Sequence, residues 1–512
     1  MAASSAQLKH HQTQIDRFYD IVYLLKSLSQ VRGERIKQKC SLEKDGYRIA
    51  KFRRDLADAL AYIAAYKKNP DYVTAAALTL SEDGEEVIVW VAANKVVEPG
   101  VIEFLKEVLH ILSGISDRTH RPQGPYRAAR EQDFQEDGSG LLSCILKFNS
   151  ERNFAYYTSF LKTWEEDISP SEGAIAEDED VRRLNEWIIK TFHRCSGRLA
   201  KEDMVNFAQE CHKARTGYSE VFDTLKQLTH RYKNGLGNKF ERLHKLLLKL
   251  GKHITVHKKL IQVRRSLQKD FDKGFEVRAV PKSSQTKIRS LRKGKFDLNN
   301  ISRHLYREKD DLAAFFSHLE KFHDVKRISE DITKACKSGG RVHAEIQLID
   351  HFDRTRCQFL DKDSPYIGCS KPACYLCYYY IAEHPNRYYP PSSHQKIYNI
   401  WCLPTLYQGD HEASIRFNAQ KRFLKMMTEK LCTELRTEIA NQREPRTYHA
   451  DSTAGVTSTI YSHTLKQENL PQLYPFQTGN GTKENYRIPY PDPEEEHNDE
   501  EGTVVFKGRR RS

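Results

Sequence analysis

The feature that most constrains this chain is a group of three cysteines within ten residues, Gly368-Cys-Ser-Lys-Pro-Ala-Cys-Tyr-Leu-Cys377. The whole sequence has only eleven cysteines, so the spacing Cys374-x-x-Cys377 is unusual. Cysteines three positions apart in the first turn of a helix direct their sulfur atoms to one side, where both can bind one metal ion. The positive end of the helix also favours thiolates over thiols. The spacing therefore predicts that this pair begins a helix and binds a metal.

A histidine and a glutamate stand about thirty residues before this pair, in the sequence Val-His343-Ala-Glu345. An imidazole from another helix adds a third ligand and leaves a fourth position for water, which is typical of catalytic zinc sites. Structural zinc sites are usually closed by a fourth side chain. The glutamate is close enough to reach the bound water without binding the metal itself. His318-Leu-Glu320 has the same spacing, but no thiol pair follows it at a suitable interval.

Three alternatives remain open for the cysteine group. A redox pair of the thioredoxin type would need a βαβ context, and it would leave His343 and Glu345 unexplained. A closed structural zinc site would use Cys369 as its fourth ligand, although Cys369 can equally be a buried thiol. Chance clustering is the third alternative. A disulfide is disfavoured because the odd number of cysteines, many at scattered single positions, predicts a reducing compartment.

The combination of His343-x-Glu345 with Cys374-x-x-Cys377 resembles the cytidine deaminase-like superfamily. The context of the cysteines looks like a lineage of deaminases that is expanded in fungi and related to bacterial toxin deaminases. Relatives commonly have proline directly before the first cysteine, whereas here an alanine intervenes. The resemblance implies an α/β fold with a three-layer α/β/α domain. In that domain a helix and a β-hairpin precede the His-x-Glu helix, and a strand separates it from the Cys-x-x-Cys helix.

The resemblance also implies a chemistry. His343, Cys374 and Cys377 would bind Zn²⁺, which makes hydroxide available near neutral pH. Glu345 would be the catalytic residue, which takes the proton from water, delivers it to a ring nitrogen and then protonates the departing ammonia. The implied activity is hydrolytic deamination of a nucleobase, with cytosine expected before adenine.

The helix and the hairpin that the resemblance implies are found in residues 49–94. Apolar residues at helical spacing precede two apolar runs, and Asp83-Gly84 between these runs is a usual signal for a tight antiparallel turn. The second run ends at Asn94, where many relatives carry an asparagine that contacts the substrate. Asn94 is therefore a candidate substrate-binding residue.

The resemblance divides the chain into five parts. They are an N-terminal helical segment (1–48), the helix and hairpin (49–94), a large and mostly α-helical insertion (95–340), a zinc-binding part (341–442) and a disordered tail (443–512). The tail is predicted to be disordered because it is polar, and residues 492–501 alone carry seven acidic side chains. In the zinc-binding part we expect helices from near Arg341 and Ala373 and a strand at Lys396–Leu403.

The charge of the chain is concentrated in one segment. The formal net charge is +13, and residues 231–303 alone contain 21 lysines and arginines against 5 aspartates and glutamates, a net charge of +16. Charge of this density predicts a polyanionic partner, with nucleic acid, RNA or DNA, as the first choice and an acidic membrane surface as the second. The alternatives are a solvated helix face beside a site for free nucleosides or nucleotides, or a non-catalytic zinc-stabilised protein that binds nucleic acid or another partner. Glu345 argues against the last, because a structural site needs no carboxylate there.

The remaining expectations concern the pocket and the compartment. His394 precedes the strand predicted at Lys396–Leu403, so it is a candidate substrate-binding residue at the border of the pocket. The first residues lack the apolar core of a secretory signal, and no run approaches the ~18–20 apolar residues that a membrane helix needs. We therefore expect an intracellular protein, cytoplasmic or nuclear. The basic end, Lys507–Ser512, is either a weak nuclear signal or a solvated tail.

Overall fold

The computed structural model places most of the residues that it describes in helices around one small sheet. It describes residues 5–38, 45–115, 127–169, 173–192, 201–216, 220–284, 309–322, 324–337, 340–355, 357–406 and 415–440. The predicted tail (443–512) and residues 285–308 of the basic segment and its surroundings lie outside these ranges. No helix in the described ranges combines the length and the apolar composition that crossing a membrane requires.

The helices before the metal-binding part are α1 (Ser5–Leu28), α2 (Asp45–Ala64), α3 (Pro99–Gly114), α4 (Arg127–Phe148), α5 (Ser150–Lys162), α6 (Glu179–Phe192), α7 (Lys201–Arg215), α8 (Val221–Arg231), α9 (Gly237–Leu250), α10 (Lys252–Ser266) and α11 (Gln268–Asp272). After them come α12 (Lys309–Phe322), α13 (Val325–Lys337), α14 (Ala344–Thr355), α15 (Tyr375–Ala382) and α16 (Ile415–Ala440). Short 3-10 turns lie at Pro70–Tyr72 and Gly173–Glu177, and one π-helical turn lies at Thr163–Ile168. The helical character predicted for residues 95–340 is largely confirmed.

The sheet has the strands β1 (Thr74–Leu80), β2 (Val87–Ala93), β3 (Phe275–Ala279) and β4 (Gly368–Cys369), in the order β3-β2-β1-β4. The predicted hairpin is confirmed, because β1 and β2 are antiparallel with Thr74 opposite Ala93. Gly84 in the turn between them has φ +76°, a conformation that glycine adopts without steric cost. Strand β4 pairs antiparallel with β1, and β3 pairs parallel with β2. The sheet is therefore mixed.

Both faces of the sheet are buried at β2. Successive side chains of a strand point to opposite sides, so the two sets of β2 side chains enter two different cores. Along β2, Ile88, Trp90 and Ala92 belong to one apolar core, which also contains residues from α1 and from α12 to α16. Val87, Val89 and Val91 belong to a second core with α2, α3, α4 and α10. A third apolar core is formed among α5 to α9. The two helices that would carry the metal ligands, α14 and α15, lie in the first core.

One strand was missed by the sequence analysis, and one predicted strand was wrong. Strand β3 lies within the region predicted to be an insertion, yet it extends the sheet beside β2. Its sequence, Phe-Glu-Val-Arg-Ala, has two charged residues among five, so it gave no strong strand signal. The strand predicted at Lys396–Leu403 is absent. There, Lys396 and Trp401 form only isolated bridges, to Val31 and to Arg341, because a turn at residues 399–400 interrupts the extended chain.

Gly368 allows β4 to lie directly on α2. A Cβ atom at this position would be 2.6 Å from the backbone nitrogen of Asp58, and it would also meet the backbone carbon of Ala57. Gly368→Ala should therefore push β4 away from α2 and lower the free energy of unfolding by about 1–3 kcal/mol. Urea denaturation monitored by circular dichroism measures this change. Gly100→Ala is the matched control, since its Cβ would have no neighbour within 4 Å, and an equal loss in both variants would contradict the close approach.

Candidate active site

The fold brings together the three predicted metal ligands. One ligand atom each from His343, Cys374 and Cys377 lies within 4.8 Å of the other two, and all three residues are buried. Nδ1 of His343 is 3.6 Å from Sγ of Cys374 and 3.4 Å from Sγ of Cys377. Over the described ranges this is the one group of histidine, cysteine or acidic side chains found with such geometry. Residues distant in sequence thus converge on one point.

The two sulfur atoms are placed by the start of helix α15. Cys374 is the N-cap residue, with extended backbone, and its Sγ accepts a hydrogen bond from the backbone N–H of Cys377 across 3.4 Å. The neighbouring backbone is fixed by a bond from Ala373 N to Ser392 O (2.8 Å) and by one from Tyr375 N to Lys396 O (2.8 Å). The helix therefore begins just after Cys374, and both sulfurs lie at its amino end, as the spacing predicted.

The histidine and the glutamate are held by the end of strand β2. The side-chain oxygen of Asn94 accepts a hydrogen bond from the backbone N–H of Ala344 (2.9 Å), and its amide nitrogen donates to Pro70 O (2.9 Å). Gln347 donates to Ala93 O (2.8 Å) and to Val342 O (2.9 Å). Asn94 thus positions the first turn of α14, and its predicted contact with a substrate stays a prediction. Sequence analysis missed Gln347, since a buried glutamine has no distinguishing spacing.

Glu345 lies beside the group of ligands without belonging to it. Its side chain is buried, and Oε2 is 3.8 Å from Sγ of Cys377. No carboxylate oxygen of Glu345 lies within 4.8 Å of all three ligand atoms. Burial is the largest influence on this carboxyl group, and it raises the pKa of Glu345 above its usual range. The predicted role of Glu345 at a metal-bound water stays a prediction.

Burial and close packing shape the electrostatics of the three ligands. Burial acts to raise the pKa of Cys374, but a hydrogen bond from Cys377 and the charge of His343 outweigh it, so this pKa lies well below its usual range. Burial raises the pKa of Cys377. For His343, burial acts to lower the pKa, and the nearby charge of Cys374 reverses the effect and raises it. A divalent cation would supply positive charge to both sulfurs where water cannot.

Cys369 is separate from the group of ligands. Its Sγ is not within 4.8 Å of all three ligand atoms and lies instead 3.5 Å from Ile367 O. Its backbone N–H donates to the Asp58 carboxylate (2.9 Å), and burial raises the pKa of the Cys369 thiol well above its usual range. This geometry favours a buried thiol over a fourth metal ligand.

His394 lies near the metal site, with a tyrosine between them. The Tyr398 ring centroid is 6.0 Å from that of His343 and 5.9 Å from that of His394. Nδ1 of His394 accepts a hydrogen bond from Lys396 N (3.0 Å), so in the neutral ring the proton is on Nε2. His394 is buried and Tyr398 is half-buried. Sequence analysis missed Tyr398, because a single tyrosine in an irregular segment has no distinguishing spacing.

The basic segment 231–303 is less exposed than its composition indicates. Within the described part, up to residue 284, five of its cations are at most 8% exposed: Lys245, Lys249, Lys252, Lys259 and Arg264. Lys259 forms an ion pair with Asp55 across 2.7 Å, and Lys245 forms one with Glu241 across 3.1 Å. The first pair joins α10 to α2 and the second lies within α9, so these cations are used inside the fold and only the rest of the segment's charge reaches the surface.

A comparison with protein families adds one finding. Residues 342–405 match a family model described as OTT_1508-like deaminase, which belongs to the cytidine deaminase-like superfamily. The matched residues include His343, Glu345, Cys374 and Cys377, so the resemblance stated from these motifs is confirmed. Searches of curated proteins and of solved structures found no match.

Metal analysis of cysteine variants tests which sulfurs bind the ion. We expect Cys377→Ser to lower zinc affinity by more than about 100-fold, because it removes a ligand and not a neighbour of one. Cys369→Ser should keep the zinc content of the unmodified protein, measured by mass spectrometry after dialysis. Loss of zinc from Cys369→Ser with retention in Cys377→Ser would contradict the assignment.

Proposed function

We propose that this chain is a zinc-dependent hydrolase that deaminates a nucleobase, with cytosine as the first expectation, in RNA or DNA. One observation carries the proposal: Nδ1 of His343 and two thiols converge on one point, with the Glu345 carboxylate beside them. The deaminase family match over the same residues supports it. The proposal includes an α/β/α layering, which is supported by the two buried faces of the sheet. It also includes a domain that is divided by the helices between β2 and α14.

The donor atoms fit a zinc ion. Two thiolates and an imidazole are the ligands that zinc prefers. In a tetrahedral site with Zn–S bonds of ~2.3 Å and a Zn–N bond of ~2.0 Å, nitrogen and sulfur are about 3.5 Å apart. The observed separations from His343 Nδ1 are 3.4 and 3.6 Å. Zinc, when bound, supplies a Lewis acid that makes water nucleophilic near neutral pH.

Glu345 would carry the protons of the reaction. Its carboxylate accepts a proton from the water that attacks the amine-bearing carbon of the base, and it passes that proton to the adjacent ring nitrogen. A second proton then goes to the amino group, which leaves as ammonia while the carbon keeps the oxygen as a carbonyl. One carboxylate can do both tasks because it accepts and donates within one turnover. The burial of Glu345 keeps bulk water from competing for these protons.

The substrate would lie between the metal site and the residues around Tyr398. This half-buried ring can stack on a base, and His394 beside it would contribute a hydrogen-bonding nitrogen. Asn94 remains a proposed substrate contact, although both ends of its amide are already hydrogen-bonded to the backbone.

The eight cysteines whose side chains the structure describes are free thiols. We therefore infer a reducing compartment, cytoplasmic or nuclear.

Glu345→Gln tests the catalytic role separately from metal binding. The variant keeps the shape of the side chain and removes its ability to accept a proton, so we expect full zinc content and a loss of activity of about 10²–10⁴-fold. Zinc content and deamination of cytidine, single-stranded RNA and single-stranded DNA should be measured on the same preparation. If zinc is lost together with activity, Glu345 binds or supports the metal and the proposed role is wrong.

Nucleic acid is the proposed substrate, and a free nucleoside or nucleotide is the second candidate. The described part of the basic segment keeps exposed cations such as Lys258 and Lys269, which would track phosphates. The burial of five other cations in that segment is the observation that keeps the second candidate open. A nucleoside needs only the pocket at the metal site, whereas a polymer needs a charged surface that leads to it.

Salt dependence separates these candidates. If about three phosphates are contacted, affinity for single-stranded RNA or DNA should fall more than tenfold between about 50 and 200 mM salt. Lys258→Glu with Lys269→Glu should weaken this binding and flatten its salt dependence, whereas Lys190→Glu, exposed on α6 outside the segment, should not. Cytidine turnover that is insensitive to salt, without measurable polymer binding, would instead favour the nucleoside.

A further inference from the structure

A tryptophan from outside the predicted ligand set contacts one of the metal-binding sulfurs. The indole nitrogen of Trp401 donates a hydrogen bond to Sγ of Cys377 across 3.2 Å. Trp401 is fully buried, so water does not compete for this N–H group. The sulfur of Cys374 accepts a different N–H group, from the backbone of Cys377. Each thiol therefore has its own hydrogen-bond donor, and one donor is a side chain that can be replaced.

The surrounding structure fixes the indole in this orientation. The backbone on either side of Trp401 pairs with Arg341, through Arg341 N to Ile400 O and Cys402 N to Arg341 O. The indole ring packs against Phe423 with centroids 5.5 Å apart and against Phe18 with centroids 6.3 Å apart. The segment that orients Trp401 thus directly precedes His343, so one short stretch of chain helps to place a nitrogen ligand and the donor to a sulfur ligand.

We propose that Trp401 is a positioning residue for the metal centre, which fixes the direction of the Cys377 sulfur and reduces its electron donation to the bound ion. The inference rests on the proposed function. A hydrogen bond to a metal ligand fixes the orientation of that ligand and changes the electron density at the metal. A thiolate that shares its negative charge with an N–H group donates less of that charge to the ion. A weaker donor leaves the ion a stronger Lewis acid, which suits activation of water.

The test replaces the indole by a ring without the N–H group and reads the metal centre directly. In Trp401→Phe loaded with Co²⁺, the sulfur-to-cobalt charge-transfer band should move to lower energy, because the sulfur holds its electrons less tightly. Affinity for Co²⁺ and Zn²⁺, measured by competition with a chelator, should fall roughly tenfold, because the loss of a fixed sulfur direction outweighs the stronger donation by the freed sulfur. The matched control is Trp90→Phe, which removes an equivalent indole bond, to Thr79 Oγ1 at 2.8 Å, away from the ligands.

A second variant separates the hydrogen bond from packing. Phe423→Leu loosens the contact with the Trp401 ring but keeps its N–H group, so its cobalt band should match that of the unmodified protein. If Phe423→Leu reproduces the shift, or if Trp401→Phe leaves band and affinity unchanged, the role of Trp401 is wrong while the proposed function stands. If the unmodified protein shows no thiolate-to-cobalt band, the proposed metal site itself fails.

A measurement on the unmodified protein covers the case in which Trp401→Phe does not fold. The chain has four tryptophans, whose indole N–H resonances can be resolved with ¹⁵N labelling. Loading with Cd²⁺ should change the chemical shift of one indole N–H resonance. The resonance that shifts should differ from the one that is lost in Trp90→Phe. If no indole resonance moves on loading, the inference is overturned.

Discussion

The hydrogen bond from Ala344 N to the side chain of Asn94 joins two parts of the chain that are 250 residues apart. It ties the end of the hairpin to the first turn of α14, which directly follows His343 and carries Glu345. A long excursion between these parts is tolerable because the entropy of closing a loop grows only with the logarithm of its length. The pairing of β3 with β2 lowers this cost further, since it returns the chain to the sheet before the metal-binding helices begin.

The convergence of the two cysteine sulfurs could be predicted because it follows from local spacing, whereas the place of His343 beside them was implied by the resemblance. Two cysteines three positions apart at the start of a helix direct their sulfur atoms to the same side in any fold. Long helices such as α16 can be predicted from the helical period of their apolar residues. Strand β3 could not be predicted, because five residues with two charges carry no such period. Trp401 was missed for a different reason. Its contact with Cys377 depends on a β-bridge to Arg341 and on aromatic rings from α1 and α16. These are tertiary contacts, which no local sequence pattern predicts.

The basic segment shows the limit of counting charges. A lysine is read from the sequence as surface, yet Lys259 reaches Asp55 on α2, a residue 204 positions away. Arg53 on the same helix pairs with Asp270 just beyond α10, with both bonds at 2.8 Å. Such buried pairs hold α2 to α10 and α11 only if each charge keeps its partner, because an unpaired buried charge costs several kcal/mol. Part of the positive charge of the basic segment thus stabilises the fold, and only the remaining cations are available to a partner.

The strand before the cysteine pair, β4, is anchored by α2, which lies on the side of the sheet opposite Trp401. The buried Asp58 carboxylate on α2 accepts hydrogen bonds from Cys369 N and from the Tyr366 hydroxyl, each 2.9 Å, on either side of Gly368. Gly368 lets α2 approach closely enough for both bonds. The loop to Cys374 therefore starts from a fixed strand, while the Cys377 sulfur is held by an indole from the other core. Contacts from both faces of the sheet therefore support the candidate metal site, whose three predicted ligand atoms lie within 4.8 Å of one another.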